Sequence, residues 1–142
     1  MLNIPWQGWA LMSAGFAALT AIFGKIGVEN VNADFATFIR TIVIIASLAL
    51  MLWATGQYQP LGSISGRSYG FLALSGLATG GSWLCYYRAL QAGTASQVAP
   101  LDKLSVVIVA VAGVLFLGEH LTGWNWLGVA MIATGAALVA VK

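Results

Sequence analysis

The chain has 142 residues, of which 60% are hydrophobic and 7% charged, with a formal net charge of +2, and its mean hydropathy is +0.89. A soluble domain covers its surface with roughly 25% charged residues, so a water-exposed fold is excluded; the few cations sit in apolar runs instead of a solvated basic patch, which excludes nucleic-acid binding. One cysteine, Cys85, and one histidine leave neither a disulfide framework nor a thiolate metal site within one chain, and Cys85 reads as a small packing residue.

A bilayer core about 30 Å thick takes roughly 20 apolar helical residues. The sequence offers five such stretches, 6–28, 32–55, 69–91, 96–117 and 124–141. The expected fold class is therefore an all-α polytopic membrane protein, with 1–142 as a single five-helix domain. The opening MLNIPWQGW lacks the cationic start of a signal peptide, and the apolar run behind it is too long for one, so the first stretch is expected to stay as a span. Residues 56–68 (GQYQPLGSISGRS) form the one long connection, and their Gly, Pro and Ser content reads as loop.

An odd number of spans puts the two ends of the chain on opposite sides, here side A for the N-terminal side and side B for the other. Side A collects Trp6, Trp9, Trp53, Tyr58, Tyr69, Trp124 and Trp126, an interfacial aromatic belt. Small residues recur at helix-packing spacing: Ser13, Ala17 and Ala21 in the first span, Gly76 and Gly80 in the third, Gly128 and Gly135 in the fifth. Helices in lipid associate through close backbone approach, so these stripes are expected to be contacts, within the chain or with a second chain.

At 1.5 Å per residue, Arg40 in the second span and Asp102 and Lys103 in the fourth lie roughly 10 Å from the side B ends of their helices, and Lys25 and Arg88 roughly 5 Å. A charge at the centre of a lipid-exposed helix costs about 2.5–3.5 kcal/mol, so these groups are expected to face protein or a wet cavity. Lys25 and Arg88 are near enough to the interface to snorkel, and Lys25 can pair with Glu29 one turn on. Arg40, Asp102 and Lys103 are deeper and point to function or to a buried network. Asp102 and Lys103 diverge by about 100° around a helix, so the expected arrangement pairs Asp102 with Arg40 or Arg88 and leaves Lys103 to a cavity or a second chain.

Four cations (Lys25, Arg40, Arg88, Lys103) against Asp102 in this layer, with Glu29 and Asp34 at its rim, favour a solute carrying a carboxylate or phosphate, anionic or zwitterionic. Trp83 and Tyr87, a turn or so from Arg88, can wall such a ligand, whereas Tyr86 reads as interfacial. Pro100 has two readings. Either the helix already runs through it and kinks, as in the broken helices of transporter sites, or the helix begins near Val98 and Pro100 sits in its first turn. Glu119 and His120 read as a solvated loop pair on side A.

The chain carries no phosphate-binding glycine loop, no HExxH and no GxSxG with its partners. Catalysis, a metal and a cofactor are accordingly not expected.

Ala89-Leu90 with the following AGTASQVAPLDKL, and then VLFLGEHLTGWNWLGVAMIATGAALVA, resemble the EamA family of the drug/metabolite transporter superfamily, in its five-span, single-repeat form. Gly118-Glu119 is similar to the family's Gly-Glu after the fourth helix, Gly128 and Gly135 to its fifth-helix glycines, and Arg40 to an arginine common early in its second helix. The resemblance implies secondary transport by alternating access between inverted repeats. A five-span chain supplies half of that architecture, so a second copy in inverted orientation, or a paralogous five-span chain, is the expected partner.

Outside the spans side A has Arg67 and side B has Lys142, a tie under the positive-inside rule that suits dual topology; adding Lys25 and Arg88 tips side B toward the cytoplasm. The expectation is a multi-pass inner-membrane exporter of a small organic solute, working as an antiparallel homodimer. Arg40, Trp83, Tyr87, Arg88, Asp102 and Lys103 would line its cavity, with Asp102 the candidate proton- or cation-coupling group. The alternative is a non-transporting membrane subunit, or a lipid-carrier flippase component, that pairs with another chain.

Overall fold

The computed structural model describes residues 4–141. Within them the chain is helical: α1 (Trp6–Gly27), α2 (Ala33–Thr55), a 3₁₀ turn at Leu61–Ser63, α3 (Gly66–Ala92), α4 (Ala95–Asp102), α5 (Ser105–Phe116) and α6 (Gly123–Ala140). No strand occurs among the described residues. Lys142, one of the two cations in the topology count, lies outside them.

Local chemistry sets the helix ends. The Asn32 side chain accepts from the Asp34 and Phe35 amides at 3.0 and 3.1 Å and starts α2, satisfying donors that have no partner within the helix. At the other end Gly56 takes φ 64°, a left-handed conformation that glycine adopts without steric cost. It turns the Gly56 amide back to Trp53 O and the Gln57 amide back to Leu52 O. Thr122 caps α6 through the Asn125 amide. Five hydroxyls inside the helices are satisfied locally: Thr37, Thr41, Ser47, Thr79 and Thr134 each donate to the carbonyl four residues back, which pairs them in an apolar medium.

Four helical stretches are long and apolar enough to cross a membrane: Trp6–Gly27, Ala33–Thr55, Ala95–Phe116 and Gly123–Ala140. The fifth helix, α3, has 27 residues and ample length. It falls below the others in hydropathy because it carries Arg67, Arg88, Gln91 and several glycines and serines. It also begins earlier than its expected start at 69, within the segment read as loop, where the Ser65 hydroxyl accepts from the Ser68 amide.

Large apolar side chains point outward along the helices, among them Phe16, Phe23, Ile45, Leu77 and Leu115. In water such a surface would be unstable, whereas in lipid it is the solvated state. The aromatic residues expected at the side A interface include Trp6, Trp53 and Trp124, all strongly exposed. Cys85, expected to be a packing residue, is exposed as well.

The chain divides into two compact units. One holds α1 as far as Lys25 together with the chain from Ala92 onward; the other is Ile26–Gln91, with α2 and α3. In the first, α6 packs against both α4 and α5. In the second, the buried residues Val28, Ala33, Thr37, Tyr87 and Leu90 all come from the side B ends of α2 and α3 and the turn before α2.

Candidate functional site

In the unit formed by α2 and α3, the first level of structure at the side B ends is an ion pair. Asp34 sits in the first turn of α2, where the cap at Asn32 fixes the backbone. Arg88, four residues before the end of α3, reaches it with Nε at 2.9 Å from Oδ1 and Nη2 at 2.7 Å from Oδ2. This is the two-pronged geometry that a planar guanidinium offers a carboxylate. Beside it Gln91 donates from Nε2 to the carbonyls of Val28 and Val31, at 3.1 and 2.6 Å, tying the end of α3 to the turn before α2.

One level deeper, about 10 Å along α2 from its start, the guanidinium carbon of Arg40 lies 3.7 Å from the centre of the Trp83 ring and 5.2 Å from that of Tyr87. Trp83 and Tyr87 are one helical turn apart on α3, so both rings face the same cation. A cation over aromatic faces gains about 0.5–2 kcal/mol. Its Nη1, however, is buried without a hydrogen-bond partner. Leaving a buried charged donor unpaired costs about 1–3 kcal/mol or more, the same order as the gain from the aromatic contacts. Arg40 is held in place by packing and still lacks an acceptor.

The other unit presents different chemistry. Lys25 donates from Nζ to the Gly93 carbonyl at 2.9 Å, just before α4. The fourth span is not one helix: α4 begins at Ala95 and runs through Pro100, which decides between the two readings of that proline. Pro100 has no N–H to give to the Ser96 carbonyl. Immediately after it the chain tightens, with Lys103 N to Pro100 O at 3.0 Å and Leu104 N to Leu101 O at 3.1 Å, before α5 resumes at Ser105. These i→i−3 bonds are a short 3₁₀-type insert, an interruption of the α ladder with a local cause in the proline.

Asp102 and Lys103 flank this break. Because Lys103 leaves the regular α path, the divergence expected of neighbouring helical residues is relaxed, and its ammonium curls back to within 3.4 Å of the Asp102 carboxylate. Within each unit, then, the carboxylate that meets Arg88 is Asp34, and the cation that meets Asp102 is Lys103.

Glu119 is exposed in the loop after α5, as expected. Gly118, at φ 69°, turns the chain so that the Glu119 amide returns to Gly113 O at 3.0 Å. The Glu119 carboxylate then lies over Gly113, where a Cβ would come within 2.5 Å of Oε2. Gly76, Gly80, Gly128 and Gly135, expected at helix contacts, have no described atom within 4 Å of the place a Cβ would occupy.

Of the six cavity candidates, the structure brings Arg40, Trp83, Tyr87 and Arg88 together at one end of α2 and α3, and sets Asp102 and Lys103 at the α4–α5 break. A groove of about 330 Å³ along α5 is lined by Val107, Ile108, Val111, Ala112 and Phe116, all apolar, and contains none of the six. Asp34 and Gln91 belong with the α2–α3 group and were not among the expected residues. The available signal was depth: Asp34 and Arg88 lie within a few residues of the side B ends of adjacent spans.

The model of the EamA-like transporter family matches residues 4–141. The chain is 64% identical over 140 residues to "Uncharacterized transporter in cobO 3'region" of Sinorhizobium sp, covering 99% of each chain. It is 32% identical over 134 residues to "Uncharacterized protein MJ1333.1" of Methanocaldococcus jannaschii, covering 93% of each. No solved structure matches. With four helical stretches able to cross a membrane, a further long helix in α3, outward apolar faces and a family match over nearly its whole length, the chain is a multi-pass membrane protein that belongs to the EamA-like transporter family.

Proposed function

We propose that the protein is a secondary transporter of a small organic solute, an exporter of the inner membrane, working by alternating access as an antiparallel pair of identical chains. The observation that carries this reading is one of size. The family match spans a single five-helix repeat, and the two relatives are covered at 99% and 93% of their own lengths, so they too have single-repeat dimensions. Alternating access between two repeats then needs a second chain. Gly76, Gly80, Gly128 and Gly135, which meet no described neighbour, leave backbone open to close approach by one.

Solute is held at Arg40 and Trp83, with Tyr87 packed behind the guanidinium and the Asp34–Arg88 pair bracing the rim of the group. The α4–α5 break supplies the moving part, and Asp102 couples it to a proton or cation: neutralising the carboxylate releases Lys103 and with it the local geometry of the bend. The reading is one of transport and not of chemical conversion, in line with the family. Uptake by the full chain in proteoliposomes, screened over radiolabelled amino acids and organic acids with and without a proton gradient, tests it. Asp102→Asn and Lys103→Gln should each reduce gradient-driven uptake severalfold. Uptake unchanged in both would remove the coupling assignment.

A further inference from the structure

We infer that Arg40 is the anchoring donor for an organic monocarboxylate, with Nη1 taking a carboxylate oxygen and the partly exposed Trp83 ring taking the apolar part of the solute. This rests on the transport reading above and names its substrate class. Three observations carry it.

The first is the vacant donor. Nη1 of Arg40 is the buried side-chain nitrogen left without a partner among the described residues, although a guanidinium is built to donate in its plane to an oxyanion. The second is preorganisation. The guanidinium lies over Trp83 at 3.7 Å, with Tyr87 at 5.2 Å, so little of its freedom remains to be lost on binding. Arg40 as a residue is only half-buried, so the covered Nη1 lies on a side chain that is still partly open to an incoming group.

The third is charge. In the Ile26–Gln91 unit the ionisable acids and bases are Glu29, Asp34, Arg40, Arg67 and Arg88. Both oxygens of Asp34 are engaged by Arg88, so that pair is neutral. Arg67 stands at the opposite end of α3, roughly 30 Å along the helix from Arg88, and Glu29 lies in the turn before α2. Within this unit one positive charge is uncompensated at the Trp83 level. A monoanion neutralises it; a dianion leaves a net negative charge in a poorly solvated setting, and a neutral solute leaves Nη1 unpaired. The Trp83 ring selects an anion with an organic body over a small inorganic one.

The chain has three arginines, Arg40, Arg67 and Arg88, so the guanidinium ¹⁵N spectrum of the full chain in lipid nanodiscs is assignable by single substitutions. Titration with benzoate should shift the Arg40 Nη signal saturably while Arg88 stays near its starting position. Benzamide, the neutral analogue, should give no shift, and phenyl phosphate should bind at least tenfold more weakly. Benzoate binding followed by tryptophan emission should weaken at least tenfold in Arg40→Gln.

A shift centred on Arg88, an equal response to benzamide, or no saturable shift with benzoate, butyrate or octanoate would overturn the inference. Because the wild-type spectrum carries the result, a poorly folding variant does not rescue it. Benzoate binding at Arg40 in a protein that moves no solute in proteoliposomes would support the site and sink the transport reading. Benzoate uptake that is unaltered in Arg40→Gln would do the reverse.

Discussion

The side B end of α2 and α3 and the break between α4 and α5 both hold charges within apolar helices, but they hold them differently. At the first, Asp34 and Arg88 are 54 residues apart in sequence and meet through two hydrogen bonds, with Arg40 stacked on Trp83 below them. At the second, Asp102 and Lys103 are neighbours whose single contact, at 3.4 Å, exists because the helix is interrupted. One arrangement is fixed by two helices and can hold a ligand in register. The other depends on a local bend and changes whenever the bend does.

Arg40→Met should break that comparison most sharply. It removes a cation–aromatic contact worth about 0.5–2 kcal/mol, but also an unpaired buried donor costing about 1–3 kcal/mol. The expected outcome is anion binding reduced tenfold or more with thermal stability unchanged or raised by about 1 kcal/mol. A marked loss of stability would make Arg40 a structural brace.

Next comes Pro100→Ala. An interior proline is about 3 kcal/mol less favourable in a helix than alanine, and the substitution returns a donor to the Ser96 carbonyl. Thermal unfolding in detergent should show a gain of about 1–3 kcal/mol, accompanied by slower transport as the bend stiffens. No change in stability would place the cause of the break at Lys103–Leu104 instead.

The sequence made the helices legible because bilayer thickness sets their length, and Asn32, Gly56 and Thr122 punctuate them chemically. Starts and ends of the first, second and fifth spans agree with expectation to within a residue. Arg40, Trp83 and Tyr87 were legible as a polar-aromatic cluster, since all three are costly or bulky at similar depth. The partner of Arg88 was not, because Asp34 looked like a solvated rim residue until α2 and α3 were placed side by side. The Asp102–Lys103 contact was missed for the opposite reason. A regular helix sets neighbouring side chains about 100° apart, and the i→i−3 turn that follows Pro100 changes that spacing.

The remaining two effects are smaller. Asp34→Arg and Arg88→Asp should each lower the melting temperature, and the combined reversal should recover most of the loss, which separates a specific pair from two independent surface charges. Asp102→Asn should change stability by less than about 1 kcal/mol, as for other half-exposed pairs, while reducing gradient-driven uptake. A large stability loss there would turn the α4–α5 pair into a structural element like Asp34–Arg88.

The central claim is that one five-helix chain is half of a transporter and works with an inverted copy. It is tested most directly by labelling with a membrane-impermeant thiol reagent in intact cells, in a Cys85→Ser background that carries either Asn30→Cys, between α1 and α2, or Gln57→Cys, after α2. The account predicts that each position is labelled in a substantial fraction of molecules, so that both orientations are present. Complete labelling at one position with complete protection at the other, and no inverted five-span partner co-purifying, would contradict it.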